Sequence, residues 1–165
     1  MSLLPAMALA HGPSRQKLDK QIEINAPVDK VWAIISDFCG IKDWNPDVTA
    51  CESDKGNELD STRTITLSNG QKMKEKLVKY TADGFSYQYM LLEPNIEAFP
   101  INTHGATITV KAGDGGKTVV EWKGAFYRSF PGPNPPPELS DEAATKALSE
   151  FYLKGLEQIK KLAES

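Results

Sequence analysis

Residues 140–163 read SDEAATKALSEFYLKGLEQIKKLA, and this stretch decides the fold. Its apolar residues recur three or four positions apart: Ala144, Ala147, Leu148, Phe151, Gly155, Ile159 and Leu162. This period predicts one amphipathic helix that begins after Ser140, a favourable N-cap, and runs to about Ala163. At about 1.5 Å per residue the helix would be roughly 35 Å long, enough to lie across a whole β-sheet.

Upstream of this helix the hydrophobic period changes to two, which predicts strands near 47–53, 61–68, 71–80, 85–92, 103–112 and 117–128. Asn69-Gly70, Asp83-Gly84 and the run 114–116 mark tight turns, so consecutive strands should be antiparallel. A further strand is predicted over 18–25. Pro27 then starts a helix that Gly40 ends, and a short helix follows over 41–44. This order predicts a curved antiparallel sheet of about seven strands with one face covered by the long helix.

Composition narrows the class of protein. The chain has 165 residues, of which 40% are hydrophobic and 25% charged, and this fits one domain over 18–165 that buries its own core. The net charge of −3 argues against nucleic-acid binding, because phosphate recognition needs a basic patch. The tightest basic group is Lys72, Lys74, Lys76 and Lys79, interrupted by Glu75. Alternating lysines usually mark a solvated face that discourages pairing at a sheet edge. No run approaches the ~20 apolar residues of a membrane span.

The N-terminus indicates export. Residues 3–10 form an apolar run that ends in Ala-Leu-Ala, a small-x-small pattern typical of a signal cleavage site. No Lys or Arg precedes Arg15, so we interpret 1–17 as the remnant of a signal peptide and a flexible arm. The alternative is a native apolar arm that packs on the domain. In an exported protein Cys39 and Cys51 could form a disulfide, or they could be two small buried hydrophobes.

Several stretches between 18 and 163 carry a resemblance to a known superfamily: Ala26-Pro27-Val28-Asp29-Lys30-Val31-Trp32, Asp37-Phe38 with Gly40, Trp44-Asn45-Pro46, Arg63-Thr64, Glu75-Lys76-Leu77, Tyr87 with Tyr89, and Trp122. In these residues the chain resembles the START-like (SRPBCC) superfamily, and within it the polyketide cyclase/dehydrase-type branch. Overall similarity and the stretch 11–17 resemble most the MxaD-type accessory proteins of bacterial methanol oxidation. The resemblance implies an α+β helix-grip fold with two short helices and an apolar cavity beneath the long C-terminal helix.

The resemblance also implies the classes of function to weigh. Superfamily members bind lipids, hormones or polyketides, some catalyse cyclisation or dehydration, and MxaD-type proteins are implicated in helping methanol dehydrogenase work with its cytochrome acceptor. We expect a periplasmic, non-enzymatic accessory or binding protein that holds a small apolar ligand or assists a dehydrogenase or cytochrome. A polyketide cyclase or dehydratase and a lipid carrier are the alternatives, since a fold alone does not fix function.

The predicted ligand pocket combines aromatic and polar positions: Trp44, Arg63, Glu75, Tyr87, Tyr89, His104, Trp122, Phe126 and Phe151. Arg63 and Glu75 could meet across the ladder, either inward as a buried ion pair or outward as a surface pair. His104 could act in the pocket as a general acid or base, or be a hydrogen-bonded histidine at the sheet edge.

The loops 93–103 and 131–137 would flank the mouth of this pocket. A filled core is the alternative to an open cavity. Because no nucleophile motif, phosphate loop or metal-ligand spacing occurs, we predict no catalytic residue, cofactor or metal.

Overall fold

A computed structural model describes residues 12–165, so the signal-like segment 1–11 lies outside the described residues. The elements follow in the order β1 (Gln16–Ile24), α1 (Val28–Ile35), α2 (Ile41–Trp44), β2 (Val48–Ser53), β3 (Thr62–Leu67), β4 (Lys72–Thr81), β5 (Ser86–Leu91), β6 (Ile101–Ala112), β7 (Thr118–Arg128) and α3 (Asp141–Glu164). Short 3-10 turns lie at Phe38–Gly40, Asp114–Gly116 and Pro137–Leu139. Over residues 12–165 no helix has the length and hydropathy of a membrane span.

The seven strands form one antiparallel sheet in the order β1-β7-β6-β5-β4-β3-β2. Strands β2 to β7 pair with their neighbours in sequence, and β1 pairs with β7 along its whole length. Helix α3 packs its apolar stripe against the inner face of this sheet, and the Ser140 hydroxyl caps it by accepting from the Ala143 N–H at 3.1 Å. The predicted α+β architecture of a curved sheet under a long C-terminal helix is confirmed.

Several predicted boundaries differ from the observed ones. Strand β1 begins at Gln16, two residues early, because Gln16 and Lys17 already pair with β7. Helix α1 ends at Ile35 and does not reach Gly40. The chain is extended at Asp37, whose carboxylate accepts from the Cys39 N–H at 3.1 Å and starts a separate 3-10 turn.

The predicted burial of Leu162 on the stripe of α3 is wrong. Leu162 is 37% exposed, and the stripe passes instead through Leu156, Ile159 and Ala163. Buried positions three or four residues apart do not lie exactly above one another, so the buried stripe winds slowly around the helix axis. At the last turn it passes through Ala163, and Leu162 lies beside it.

The edge explanation for the alternating lysines is also wrong. Strand β4 lies between β3 and β5, in the interior of the sheet, and β1 and β2 are the edges. Its side chains alternate strictly over its first half, with Met73, Glu75 and Leu77 buried on the inner face. The lysines therefore lie on the outer face of a strand that is already paired on both sides.

Cys39 and Cys51 form a disulfide, which decides between the two alternatives for these residues. The bond joins the 3-10 turn at Phe38–Gly40 to strand β2. It thereby holds Phe38 over the inner face of β3, the strand that carries Arg63.

Candidate functional site

An ion pair lies on the inner sheet face, on the two strands next to the edge strand β2. Arg63 on β3 and Glu75 on β4 are direct cross-strand partners, and their side chains point inward because both strands alternate in register. Arg63 is 1% exposed and Glu75 is 4% exposed. The Nε and Nη2 atoms of Arg63 each lie 2.9 Å from the same Glu75 oxygen, Oε1. The pair is therefore buried, and the outward alternative is excluded.

Other groups also hold the guanidinium of Arg63. Its Nη1 donates to the backbone carbonyl of Phe38, and its carbon lies between two rings, 4.1 Å from the centroid of Phe38 and 4.7 Å from that of Tyr89. Such contacts stabilise a desolvated cation by about 2 kcal/mol. Burial by itself would lower the pKa of Arg63, but Glu75, Tyr87 and Tyr89 raise it above the usual value, so Arg63 stays charged.

The hydroxyls and the indole next to this pair bond to each other or to the backbone. The Tyr87 hydroxyl donates to the Ile35 carbonyl at 3.2 Å, and the Trp122 Nε1–H donates to the Tyr89 hydroxyl at 3.0 Å. Burial raises the pKa of both tyrosines well above the ordinary range. They therefore remain protonated and serve as hydrogen-bonding groups.

His104 lies on β6, inside the sheet and not at its edge. It is 4% exposed, and its Nε2 lies 2.8 Å from the Tyr152 hydroxyl of α3. The close approach requires a glycine at position 124 on β7, because a Cβ there would overlap the Tyr152 hydroxyl. Burial, reinforced by the charge of Arg63, lowers the pKa of His104 to about 4, so the imidazole is neutral at pH 7. Its Nδ1 has no hydrogen-bond partner within the described residues.

Helix α3 closes over these groups through aromatic contacts. Trp122 stacks on Tyr152 with ring centroids 4.1 Å apart and meets the edge of Trp44 at 5.3 Å. Gly155 permits this packing, because a Cβ there would lie 2.9 Å from Trp44 and 3.1 Å from Trp122. The Asn45 side-chain amide also donates to the Phe151 carbonyl at 3.2 Å, which fixes the middle of α3 to the segment after α2.

The predicted mouth loops are closed as well. Phe99 lies in the loop before β6, and its ring meets the edge of Phe151 with centroids 5.2 Å apart. The proline-rich loop is held by Arg128, whose Nε and Nη2 donate to the carbonyls of Phe130 and Gly132 at 3.2 and 2.6 Å. The same guanidinium pairs at 3.2 Å with Asp141 in the first turn of α3.

The predicted pocket residues thus share one interior, in which they contact each other. All nine are buried, with at most 6% exposure: Trp44, Arg63, Glu75, Tyr87, Tyr89, His104, Trp122, Phe126 and Phe151. Concavities along residues 12–165 lie on the outer sheet face and beside the end of α3. His104 and Phe126 line one of those on the sheet and Tyr87 lines another. Within this range no cluster of three or more His, Cys, Asp or Glu could hold a metal.

Sequence reasoning missed two members of this interior network, Phe38 and Tyr152. Tyr152 lies four residues after Leu148 and three before Gly155, so the helical period itself could have found it. Phe38 could not be found in this way, because its contact with Arg63 depends on the turn that the disulfide holds in place.

Comparisons with known proteins agree with this architecture. The profile of the family described as "Polyketide cyclase / dehydrase and lipid transport" matches residues 15–164. XoxI from Bacillus cereus has 24% identity to the chain and a TM-score of 0.76, over 89% of this chain and 94% of that one. A protein from Nitrosospira multiformis has 20% identity and a TM-score of 0.72, over 91% and 97% of the two chains.

An enzyme of plant origin has the same fold. Norcoclaurine synthase from Thalictrum flavum, solved with dopamine and hydroxybenzaldehyde, has 15% identity and a TM-score of 0.68, over 91% of this chain and 87% of that one. At these identities the likeness shows the fold alone. No curated protein matches the chain.

The family profile covers nearly the whole chain, and the fold is the type that supports a ligand cavity between a curved sheet and a long helix. Family membership supports binding of a small apolar molecule. This chain belongs to the polyketide cyclase/dehydrase and lipid-transport family of START-like (SRPBCC) proteins.

Proposed function

We propose that this chain is an exported accessory protein that acts through contact with a partner protein and catalyses no reaction of its own. Its specific role would be that of MxaD-type proteins, which assist a periplasmic dehydrogenase and its cytochrome in methanol oxidation. The observation that carries the proposal is that the interior acid–base groups bond to one another. Arg63 is bonded to Glu75, Tyr89 to Trp122, and His104 to Tyr152.

The same observation weighs against the cyclase or dehydratase alternative. A general acid or base must reach the proton that it transfers and must titrate near the working pH. His104 is buried and has a pKa of about 4, and the tyrosine pKa values are raised far above neutrality. A substrate would have to displace the helix and break this network before meeting any of these groups.

Two features support export. The Cys39–Cys51 disulfide is the kind of bond that persists in oxidising compartments and is rare in the cytosol. The apolar run at 3–10 ends in a cleavage-like pattern. Together they favour the periplasm, where methanol dehydrogenase and its cytochrome would be available as partners.

A rate measurement tests the accessory role. Periplasmic extract from a source strain that lacks this protein is assayed for methanol-dependent reduction of the cytochrome, and the purified chain is added back. We expect the rate to rise with added protein and to saturate. The control is the same chain after reduction and alkylation of the disulfide and unfolding. An unchanged rate at saturating protein would contradict the role.

A second candidate function is carriage of a small apolar ligand. Two buried polar atoms, the Trp44 Nε1 and the His104 Nδ1, have no partner within the described residues, and a ligand or an ordered water would satisfy them. Entry would require Phe99 and Phe151 to part, because these rings close the edge of the interior. A fluorescent fatty acid should then bind Phe99→Ala more tightly than the wild type. Equal absence of binding in both would contradict carriage.

A further inference from the structure

The outer face of strands β3 to β6 is basic although the whole chain is acidic, with a net charge of −3. The outward positions of β4 are Lys72, Lys74, Lys76 and Lys79, and β6 adds Lys111. Strands β3 to β6 contain one carboxylate, Glu75, and it faces inward to Arg63. The outer positions of these four strands therefore carry no carboxylate, and a nearby one is Glu93, which follows β5 and lines a concavity with Lys72 and Lys74.

Contacts within the chain do not account for these lysines. Lys76 pairs with Asp60 at 3.5 Å and Lys111 with Glu121 at 2.8 Å, but among residues 12–165 Lys72, Lys74 and Lys79 have no ion pair. Protection of a sheet edge does not account for them either, because β4 is an interior strand. A row of like charges on neighbouring positions of one strand repels itself, so it needs an external reason.

The lysines surround an apolar and hydroxyl-rich centre. Met90 lies directly opposite Lys76 and is 41% exposed, and Leu92, which follows β5, is 38% exposed. Next in the row from Met90 come Gly105 and Ala125, whose small side chains leave a trough of about 270 Å³ beside Met90. An apolar centre containing methionine with charged groups around it is typical of a protein–protein interface.

We propose that the outer face of strands β3–β6 docks an acidic surface of a partner protein. This inference rests on the proposed accessory function and names the surface and the partner chemistry that the function would use. A second copy of this chain does not fit, because two such faces would bring lysines against lysines. An anionic membrane fits less well, because Met90 lies on a strand of the sheet, which cannot enter a bilayer as an amphipathic helix does.

The size of the face suits a transient complex. Strands lie about 4.8 Å apart and rise ~3.3 Å per residue, so four strands of about six residues span about 19 by 20 Å. This gives roughly 400 Å² per partner, at the small end of weak and transient complexes, in which electrostatic attraction mainly speeds association. The complex should weaken steeply as salt rises, because exposed charges are screened.

Matched charge-reversal variants test this inference. Lys74→Glu/Lys79→Glu changes the docking face, and Lys55→Glu/Lys146→Glu makes the same change in net charge at exposed sites elsewhere. The probe is a ten-residue glutamate peptide, titrated into the ¹⁵N-labelled protein at low salt. We expect amide shifts confined to β3–β6 and an affinity at least about fivefold lower for the first variant only.

Three results would overturn the inference: shifts spread equally over α3, equal loss in both variants, or no binding at low salt. Vesicles of phosphatidylcholine with phosphatidylglycerol are the second arm, and binding to them that displaces the peptide would assign the face to membranes instead.

The methanol-oxidation assay separates the two proposals. If both variants stimulate it like the wild type, docking through this face fails while the accessory function stands. If the wild type gives no stimulation but the peptide binds at β3–β6, the accessory function fails while docking through this face stands.

Discussion

Glu75→Gln should destabilise the protein strongly, because it removes the charge that neutralises a buried cation. Arg63 is 1% exposed, and two of its nitrogens lie 2.9 Å from one Glu75 oxygen. With charge centres ~4 Å apart and an effective dielectric constant near 20, the lost attraction is about 4 kcal/mol. Breaking buried pairs by removing one partner typically costs about 3–5 kcal/mol, so both routes give the same magnitude.

Urea unfolding followed by circular dichroism measures this loss. With a slope of about 2 kcal/mol per molar urea, the midpoint should fall by roughly 1.5–2.5 M. Lys117→Gln breaks the exposed pair with Glu23, at 3.1 Å, and should cost less than about 1 kcal/mol. The double variant Arg63→Met/Glu75→Leu removes both charges and should recover most of the loss.

The reasoning is refuted if Glu75→Gln unfolds within about 1 kcal/mol of the wild type. In that case Arg63 would have another source of neutralisation. Glu75 would then be free for a chemical role, as the cyclase alternative requires.

Four further perturbations address other parts of the interior. Phe151→Ala should lower the free energy of unfolding by about 2–5 kcal/mol, because it leaves a cavity beside Phe99. The control Leu153→Ala, at a position that is 40% exposed, should lower it little. Similar losses in both variants would mean that the buried face of α3 is misassigned. Gly155→Ala should lower the free energy of unfolding by about 1–3 kcal/mol, because the new methyl group would lie 2.9 Å from Trp44. Alanine is the better helix former, so a gain in stability would contradict the close packing. The pKa of His104 is about 4 in the folded protein and 6.5 in the unfolded chain. Between pH 6.5 and pH 4 the unfolded chain therefore binds more protons than the folded protein. The free energy of unfolding should fall as the pH drops through this range, by as much as about 3 kcal/mol. His104→Gln should flatten that pH dependence in urea titrations, and an unchanged slope would show that His104 does not titrate there. Reducing Cys39–Cys51, which are 12 residues apart, should cost about 3 kcal/mol and expose two thiols to alkylation; an unchanged urea midpoint after complete alkylation would contradict a stabilising role.

The sequence predicted the fold well because its signals are local and periodic. The stripe of α3, the period-two strands and the Asn69-Gly70 turn determine which elements form and which neighbours pair. The pairing of Arg63 with Glu75 follows from the same hairpin register, but whether the pair faces inward depends on which face α3 covers. Hydrophobic neighbours favoured the inward position without requiring it.

The rest depends on contacts between distant parts of the chain. The His104–Tyr152 bond joins β6 to α3 across 48 residues and requires a glycine at position 124 on a third element. The contact of Phe38 with Arg63 depends on a disulfide, and the spacing of the two cysteines alone cannot establish that disulfide. Whether aromatic side chains line a cavity or fill it is likewise decided by packing, since either outcome has the same alternating pattern.

Native mass spectrometry of the protein purified from its own source compartment tests the central claim most directly, namely that the polar groups between the sheet and α3 bond to one another and not to a bound molecule. The account predicts the mass of the bare chain, two hydrogens lighter for the disulfide, under conditions that preserve non-covalent complexes. A small molecule retained in stoichiometric amount, and lost when the protein is unfolded, would contradict it.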